Sequence, residues 1–203
     1  MKKFKLIGLT GQSGSGKSTV SAIFAEKEGF AVINADMLVS KIYSDASPCL
    51  KTISAVFGED VIKSDGTPDR KLLAQRAFAT KENTNLLSRI VHPFVTAEFL
   101  NEIKRLDNSI QVLIYDAPQL FESCFDVVCD MIVSVVADKQ IRLERICKRD
   151  NITQKQAEQR MNAQFDERFF REKSDYIIEN NTDKEFLSEQ IEQLVERLLS
   201  RGD

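Results

Sequence analysis

The sequence predicts an α/β fold built on a five-stranded parallel sheet flanked by helices. Three observations carry that prediction. Short apolar runs at Phe4–Leu9, Ala31–Ile33, Val112–Tyr115, Met131–Val136 and Tyr176–Ile178 have the length and composition of buried strands. The first run leads through glycine-rich sequence into a helical pattern, which is how α/β folds open. The first two runs flank that helix and should therefore lie parallel in one sheet, joined by a right-handed crossover.

Taken in order, Lys17–Lys27 places Val20, Ile23 and Phe24 on one helical face and closes toward Gly29, read as its C-terminal cap. Beyond the second strand the pattern turns helical from about Met37 to Leu106, as an insert into the sheet. There Ser47-Pro48 reads as an N-cap and first-turn proline, and Leu50, Ile53 and Phe57 follow before Gly58. Asp65-Gly66 reads as a turn, and Pro68-Asp69 leads into a helix with Leu72, Leu73 and Ala77. Leu87, Ile90, Val91 and Phe94 continue at helical spacing, Pro93 marks a break or kink, and Phe99, Ile103 and Leu106 resume. Between the last two strands, Thr153 and Gln156 match a capping box for one helix in which Ala157, Met161, Phe165 and Phe169 repeat every fourth residue. Leu187, Ile191, Leu194 and Leu198 predict a final helix packed on the sheet. Arg201-Gly202-Asp203 is read as a helix end and not as an adhesion motif.

Composition narrows the class. With 203 residues the chain can bury a full core as one domain. A formal charge of −3 argues against a chain built to coat nucleic acid. Cys49, Cys124, Cys129 and Cys147 form no CxxC pair and are read as reduced thiols. No export signal or bilayer-length apolar run is apparent, so a cytoplasmic protein without membrane partners is expected. His92 is the only histidine, which rules out His-rich metal sites.

Gly11-Gln12-Ser13-Gly14-Ser15-Gly16-Lys17-Ser18 matches G-x-x-x-x-G-K-[ST], between a predicted strand and a predicted helix. The glycines let backbone N–H groups and a helix N-terminus close on an anion. Lys17 would neutralise β- and γ-phosphate charge, and Ser18, followed by Thr19, would offer a hydroxyl to Mg²⁺. This is a P-loop, and ATP with Mg²⁺ is the expected cofactor pair.

A P-loop alone does not separate kinases from GTPases or motors, so the acceptor side decides. Asp36, in Asn34-Ala35-Asp36 after the second strand, reads either as the base that takes a proton from an acceptor hydroxyl or as an N-cap. Asp116 reads either as a strand-terminal turn residue or as a Walker-B acid for the metal. Arg142, Arg145, Arg149, Arg160, Arg168 and Arg171 form either solvated helix faces or a mobile arginine-rich flap that closes on phosphate. His92 is structural or touches substrate, and Glu122 and Asp69-Arg70 are further polar candidates. The chain has no Asn-Lys-x-Asp guanine motif, against a GTPase switch; a kinase for another small acceptor, such as a nucleoside monophosphate, stays open.

Over nearly its whole length the chain resembles the dephospho-coenzyme A kinases. The resemblance rests on Leu9-Thr10-Gly11 leading into the P-loop, Val32-Ile33-Asn34-Ala35-Asp36, Phe57-Gly58 and Asp65-Gly66 with Asp69-Arg70. It continues through His92-Pro93, Pro118 with Leu120-Phe121-Glu122, Arg145 with Arg149, Gln164, and Asp175 with Asn180. It implies a P-loop core (1–36, 107–139 and 174–203), a helical acceptor-binding lobe (37–106) and a helical lid (140–173). The implied reaction moves a phosphoryl group from ATP to the ribose 3′-hydroxyl of dephospho-CoA, giving CoA and ADP in the final step of CoA biosynthesis. The implied catalytic residues are Asp36, Lys17 and Arg145. Residues Gly11 to Thr19 with Arg149 and Asn180 would bind ATP, and Ser18 with Asp116 would hold the metal. Asp36, Arg70, His92 and Glu122 would meet the acceptor, and a monomer, at most weakly self-associating, is expected. Two positions depart from the family pattern: Asn34 replaces a usual aspartate, and Gln119 a usual leucine that shapes the acceptor pocket.

Overall fold

The computed structural model describes residues 4–44, 47–182 and 184–200. The Arg201-Gly202-Asp203 tripeptide lies outside the described residues. The chain divides into two units, one made of Met1–Ile33 and Asp107–Asp203, the other of Asn34–Leu106.

The first unit is organised by a five-stranded sheet in which β1 (Lys5–Gly11), β2 (Phe30–Asn34), β3 (Val112–Asp116), β4 (Met131–Val136) and β5 (Tyr176–Glu179) lie in the order β2-β3-β1-β4-β5. The β1 strand runs parallel to β3 and to β4, with Leu9 opposite Asp116 and Gly11 opposite Val135. This register sets the end of β3 beside the start of the P-loop, at the carboxyl edge where α/β sheets bind ligands. At the opposite edge, Asp130 accepts from Leu6 N at 2.7 Å and Asp175 from Ile132 N at 2.7 Å. Asp175 is therefore a sheet-end residue, satisfying a strand donor that would otherwise face the edge unpaired.

Helix α1 (Lys17–Ala25) buries Val20 and Phe24, and Phe24 stacks on Phe30 with centroids 5.9 Å apart. It stops at Ala25, capped by Glu26, so Gly29 is not its cap as the sequence reading had it. Helix α9 (Lys184–Ser200) sets Leu187, Ile191, Leu194 and Leu198 against Ile7, Leu9, Val133 and Ile178, as its spacing predicted. Each such side chain, fully withdrawn from water, stabilises the sheet by about 1.5–3 kcal/mol.

Helices α6 (Lys139–Asp150) and α7 (Gln154–Asn162) share a small core of Leu143, Ile146, Ala157 and Met161. The capping box forms as predicted, with Thr153 and Gln156 bonded reciprocally. The single helix expected beyond it does not. Helix α7 ends at Asn162, and α8 (Glu167–Lys173) begins anew with Asp166 accepting from Phe169 N at 2.9 Å. A short aspartate that can bond its own downstream backbone favours a new N-cap over helix continuation, and it overrides the apolar period.

The second unit holds α2 (Ala35–Ile42), α3 (Pro48–Phe57), α4 (Arg70–Ala77) and α5 (Lys81–Arg105), capped by Asn34, Ser47, Asp69 and Thr80 respectively. Its interior is formed by Leu50, Ile53, Phe57, Val91, Val95 and Phe99. Lys41 ties α2 to α5 through Glu98 and Glu102. Helix α5 runs continuously through Pro93, so of the break or kink expected there no break forms. Pro93 is exposed, so water can reach the backbone group that loses its partner.

Candidate active site

The P-loop runs from the end of β1 into α1, and two of its glycines are required by their surroundings. Gly16, the N-cap of α1, has φ 92°, and a Cβ there would lie 2.0 Å from Asn180 Nδ2. Gly14 has φ 81°, and its Cβ would lie 2.7 Å from the Arg142 carbonyl oxygen. At both positions a side chain is excluded by backbone conformation and by a neighbour.

Three side chains from separate elements grip this loop. Asn180, buried just after β5, donates to Ser15 O at 2.7 Å. Arg145 of α6 donates through Nη1 to Asn180 O at 3.1 Å, with longer contacts to Gly14 O and Ser15 O at 3.4 and 3.5 Å. From the connection between α7 and α8, Gln164 Oε1 accepts from Ser13 N at 2.9 Å. Gln12 returns the contact, donating from Nε2 to Phe165 O at 3.1 Å.

Lys17 forms an ion pair with Asp116. The lysine side chain is 12% exposed and the aspartate 2%, so the pair sits almost out of water. Gln12 Oε1, Ser15 Oγ and Arg142 Nη1 are buried with no hydrogen-bond partner among the described residues. The Ser15 hydroxyl can donate into the loop, and with the glycine backbone, a helix N-terminus and a lysine it fits a site shaped for a polyanion, whereas the Gln12 amide oxygen, an acceptor, does not serve an anion. Arg142 donates from Nε to Ala137 O at 2.9 Å, and desolvation holds its pKa below the usual guanidinium value. Ser18 and Thr19 are exposed on the first turn of α1.

The six arginines do not behave as one cluster. Of the six, Arg145 alone is shown with its guanidinium on the P-loop; Arg142 lies against Gly14 through its backbone and turns its side chain to Ala137 O. Arg149 and Arg160 both pair with Asp150, Arg168 with Glu172, and Arg171 with Glu167 and Glu179. Arg149, expected at ATP, is therefore held by a carboxylate in this structure.

Glu122 lies in the connection from β3 to β4. It is exposed as a residue, yet the protein packed around its carboxyl raises its pKa above the ordinary glutamate value. Gln119, one of the departures from the family pattern, is exposed in the same connection beside the fully buried Leu120, so its amide stays in water.

In the helical unit, Asn34 accepts from Met37 N at 3.1 Å and so caps α2. The cap reading for Asp36 is thereby corrected: Asp36 is the second residue of α2, exposed and free of capping duty. Arg70 is exposed as the first residue of α4, and its charge acts on Tyr43, whose hydroxyl burial pushes its pKa up to about 12. His92 lies half-buried on α5.

The family model described as dephospho-CoA kinase matches residues 5–185. This chain belongs to the dephospho-CoA kinase family. It is an ATP-dependent kinase of the final step of CoA biosynthesis. The chain is 38% identical over 193 residues to the dephospho-CoA kinase of Fusobacterium nucleatum, covering 95% of this chain and 98% of that one. Among solved structures, a dephospho-CoA kinase from Campylobacter jejuni superposes with a TM-score of 0.69 at 28% identity, covering 98% and 99% of the two chains. A shikimate kinase from Acinetobacter baumannii, at 17% identity and a TM-score of 0.52 over 98% and 95%, shares the P-loop fold alone. No helix among the described residues is long and apolar enough to cross a membrane.

The residue that reading the sequence undervalued is Gln164. It was a family signature with no stated role, placed in mid-helix, and Asp166-Glu167 was the local signal for the break that brings it to the P-loop.

Proposed function

We propose that this dephospho-CoA kinase places the triphosphate of ATP on Gly11–Thr19 and transfers the γ-phosphoryl group to the ribose 3′-hydroxyl of dephospho-CoA with Asp36 as base. The observation that carries the proposal is the P-loop backbone, gripped by Asn180, Arg145 and Gln164, with Lys17 paired to a buried carboxylate.

Little covalent chemistry is asked of a protein in phosphoryl transfer. Positioning and charge neutralisation carry it. Loop N–H groups and the α1 N-terminus hold phosphate oxygens, and Lys17 turns from Asp116 toward the γ-phosphate. Arg145, next to the loop carbonyls, adds positive charge where the transferring group becomes more dispersed. The exposed Asp36 carboxylate accepts the proton as the 3′-oxygen attacks. Arg70, His92 and Glu122 are the residues assigned to the acceptor. The segment 140–173 serves as a lid that excludes water, so that ATP is not spent on hydrolysis.

Ser18 Oγ and the Asp116 carboxylate are hard oxygen donors of the type Mg²⁺ takes, and they would hold it beside the phosphates. When bound, it would supply positive charge to the phosphates. A monomer in the cytoplasm, without nucleic acid or membrane partners, completes the proposal.

The test is direct. Protein, ATP, Mg²⁺ and dephospho-CoA are combined and the products resolved by mass and by phosphorus NMR. CoA carrying the new phosphate on the 3′-oxygen is expected; ADP formed without it would defeat the assignment.

A further inference from the structure

We infer that Gln164 is a positioning residue for the P-loop, the point through which the α7–α8 connection fixes the loop for ATP. The inference rests on the reading of Gly11–Ser18 as the ATP phosphate site.

Two hydrogen bonds cross between the segments, and they are reciprocal. A backbone donor of the loop, Ser13 N, meets a side-chain acceptor of the connection at 2.9 Å. A side-chain donor of the loop, Gln12 Nε2, meets a backbone acceptor of the connection, Phe165 O, at 3.1 Å. Together they fix the peptide between Gln12 and Ser13 from outside, immediately before the glycine whose positive φ turns the loop inward. A free chain of glycines and serines would sample many loop shapes, and each bond that selects one lowers the cost of ordering it around phosphate.

The connection is itself anchored. Phe165 stacks on Phe169 with centroids 3.9 Å apart, and Phe169 meets Phe121 edge-on at 5.1 Å. Phe121 follows Asp116 in the β3–β4 connection, so the element that fixes Ser13 is also packed against the segment leaving the Lys17 partner. Only an acceptor suits Gln164 Oε1 here, because its partner is an N–H. A glutamine provides that acceptor without placing negative charge near the triphosphate.

Two substitutions separate these properties. Gln164→Met keeps length and removes the acceptor. The expected result is a fall in kcat/KM for ATP of roughly threefold to tenfold, the worth of one net hydrogen bond. The KM for dephospho-CoA and the thermal midpoint should stay near those of the unsubstituted protein, and amide exchange at Ser13 should accelerate. Gln164→Glu keeps the acceptor and adds charge: Ser13 should remain protected while the KM for ATP rises, and added salt should reduce that rise. Unchanged ATP kinetics in either variant, or equal shifts in KM for both substrates, would overturn the inference. Lys17→Ala is the control. If it transfers phosphate as fast as the unsubstituted protein, the phosphate-site reading itself fails; if transfer collapses and Gln164→Met behaves as unsubstituted protein, only the role of Gln164 falls.

Discussion

Lys17 and Asp116 form an almost fully buried ion pair, the lysine opening α1 and the aspartate closing β3. The lysine that should neutralise phosphate is thus held beside the carboxylate that should hold the metal. An approaching nucleotide competes with Asp116 for Lys17. Removing the lysine takes a cation from a buried carboxylate, which costs up to about 3–5 kcal/mol. Lys17→Met is therefore expected to lower the urea midpoint of the nucleotide-free protein as well as to abolish transfer. Adding Asp116→Asn should recover part of the stability and none of the activity. A double variant no more stable than Lys17→Met alone would show that the pair contributes nothing to the fold.

Asn34 and Asp36 stand two residues apart and are predicted to fail in opposite ways. Asn34 caps α2, so Asn34→Ala should cost about 1 kcal/mol of stability. Asp36 is exposed and does not cap, so Asp36→Asn should change stability by no more than about 0.5 kcal/mol. As the proposed base, Asp36 should cost turnover on the order of 10²–10⁴-fold when neutralised, with ATP still bound. Stopped assays and urea melts on both variants check the pair. Near-normal turnover in Asp36→Asn removes it from the base role.

That division also explains what was legible in the sequence. The strands, the P-loop, the Ser47 and Asp69 helix starts and the α9 stripe follow from local chemistry: apolar period, caps and glycines. Asn34 stands in the sequence as a missing carboxylate; the bond from Met37 N shows that its amide oxygen caps α2, a role asparagine fills readily. The arginines, read either as solvated faces or as a flap, divide for a related reason. Spacing of three and four residues says which side of a helix they share, but not that Asp150, Glu172 and Glu179 come to meet them. Gln164 was hidden by an apolar repeat that continues through a helix break, a tertiary arrangement that no local period encodes.

Asn180 and Gly16 interlock, and substitution on either side should loosen the P-loop. A Cβ on Gly16 would fall 2.0 Å from Asn180 Nδ2, and the left-handed backbone there adds strain. Gly16→Ala is expected to lose ATP binding by calorimetry. Asn180→Ala removes the donor to the buried Ser15 carbonyl, a loss of about 1–3 kcal/mol in stability with weaker ATP binding. Combining the two should be less damaging than their sum, because the alanine at position 180 vacates the space that the new methyl needs. Strict additivity in thermal melts would refute the interlock.

Glu122 offers a pH test whose sign follows from its raised pKa. The packed protein disfavours its charged form, so the folded chain holds this proton more tightly than the unfolded chain does. Between the unfolded and folded pKa values the native state binds more protons, and this residue's contribution to stability falls as pH rises through that window. Glu122→Gln carries no titrating group and escapes the fall. Urea midpoints taken from about pH 4 to about pH 7 should therefore show the variant gaining on the unsubstituted protein as pH increases. Parallel profiles would mean that the carboxyl is fully solvated. As a proposed acceptor contact, Glu122 is also expected to matter for binding, and the KM for dephospho-CoA should rise in the same variant while that for ATP stays fixed.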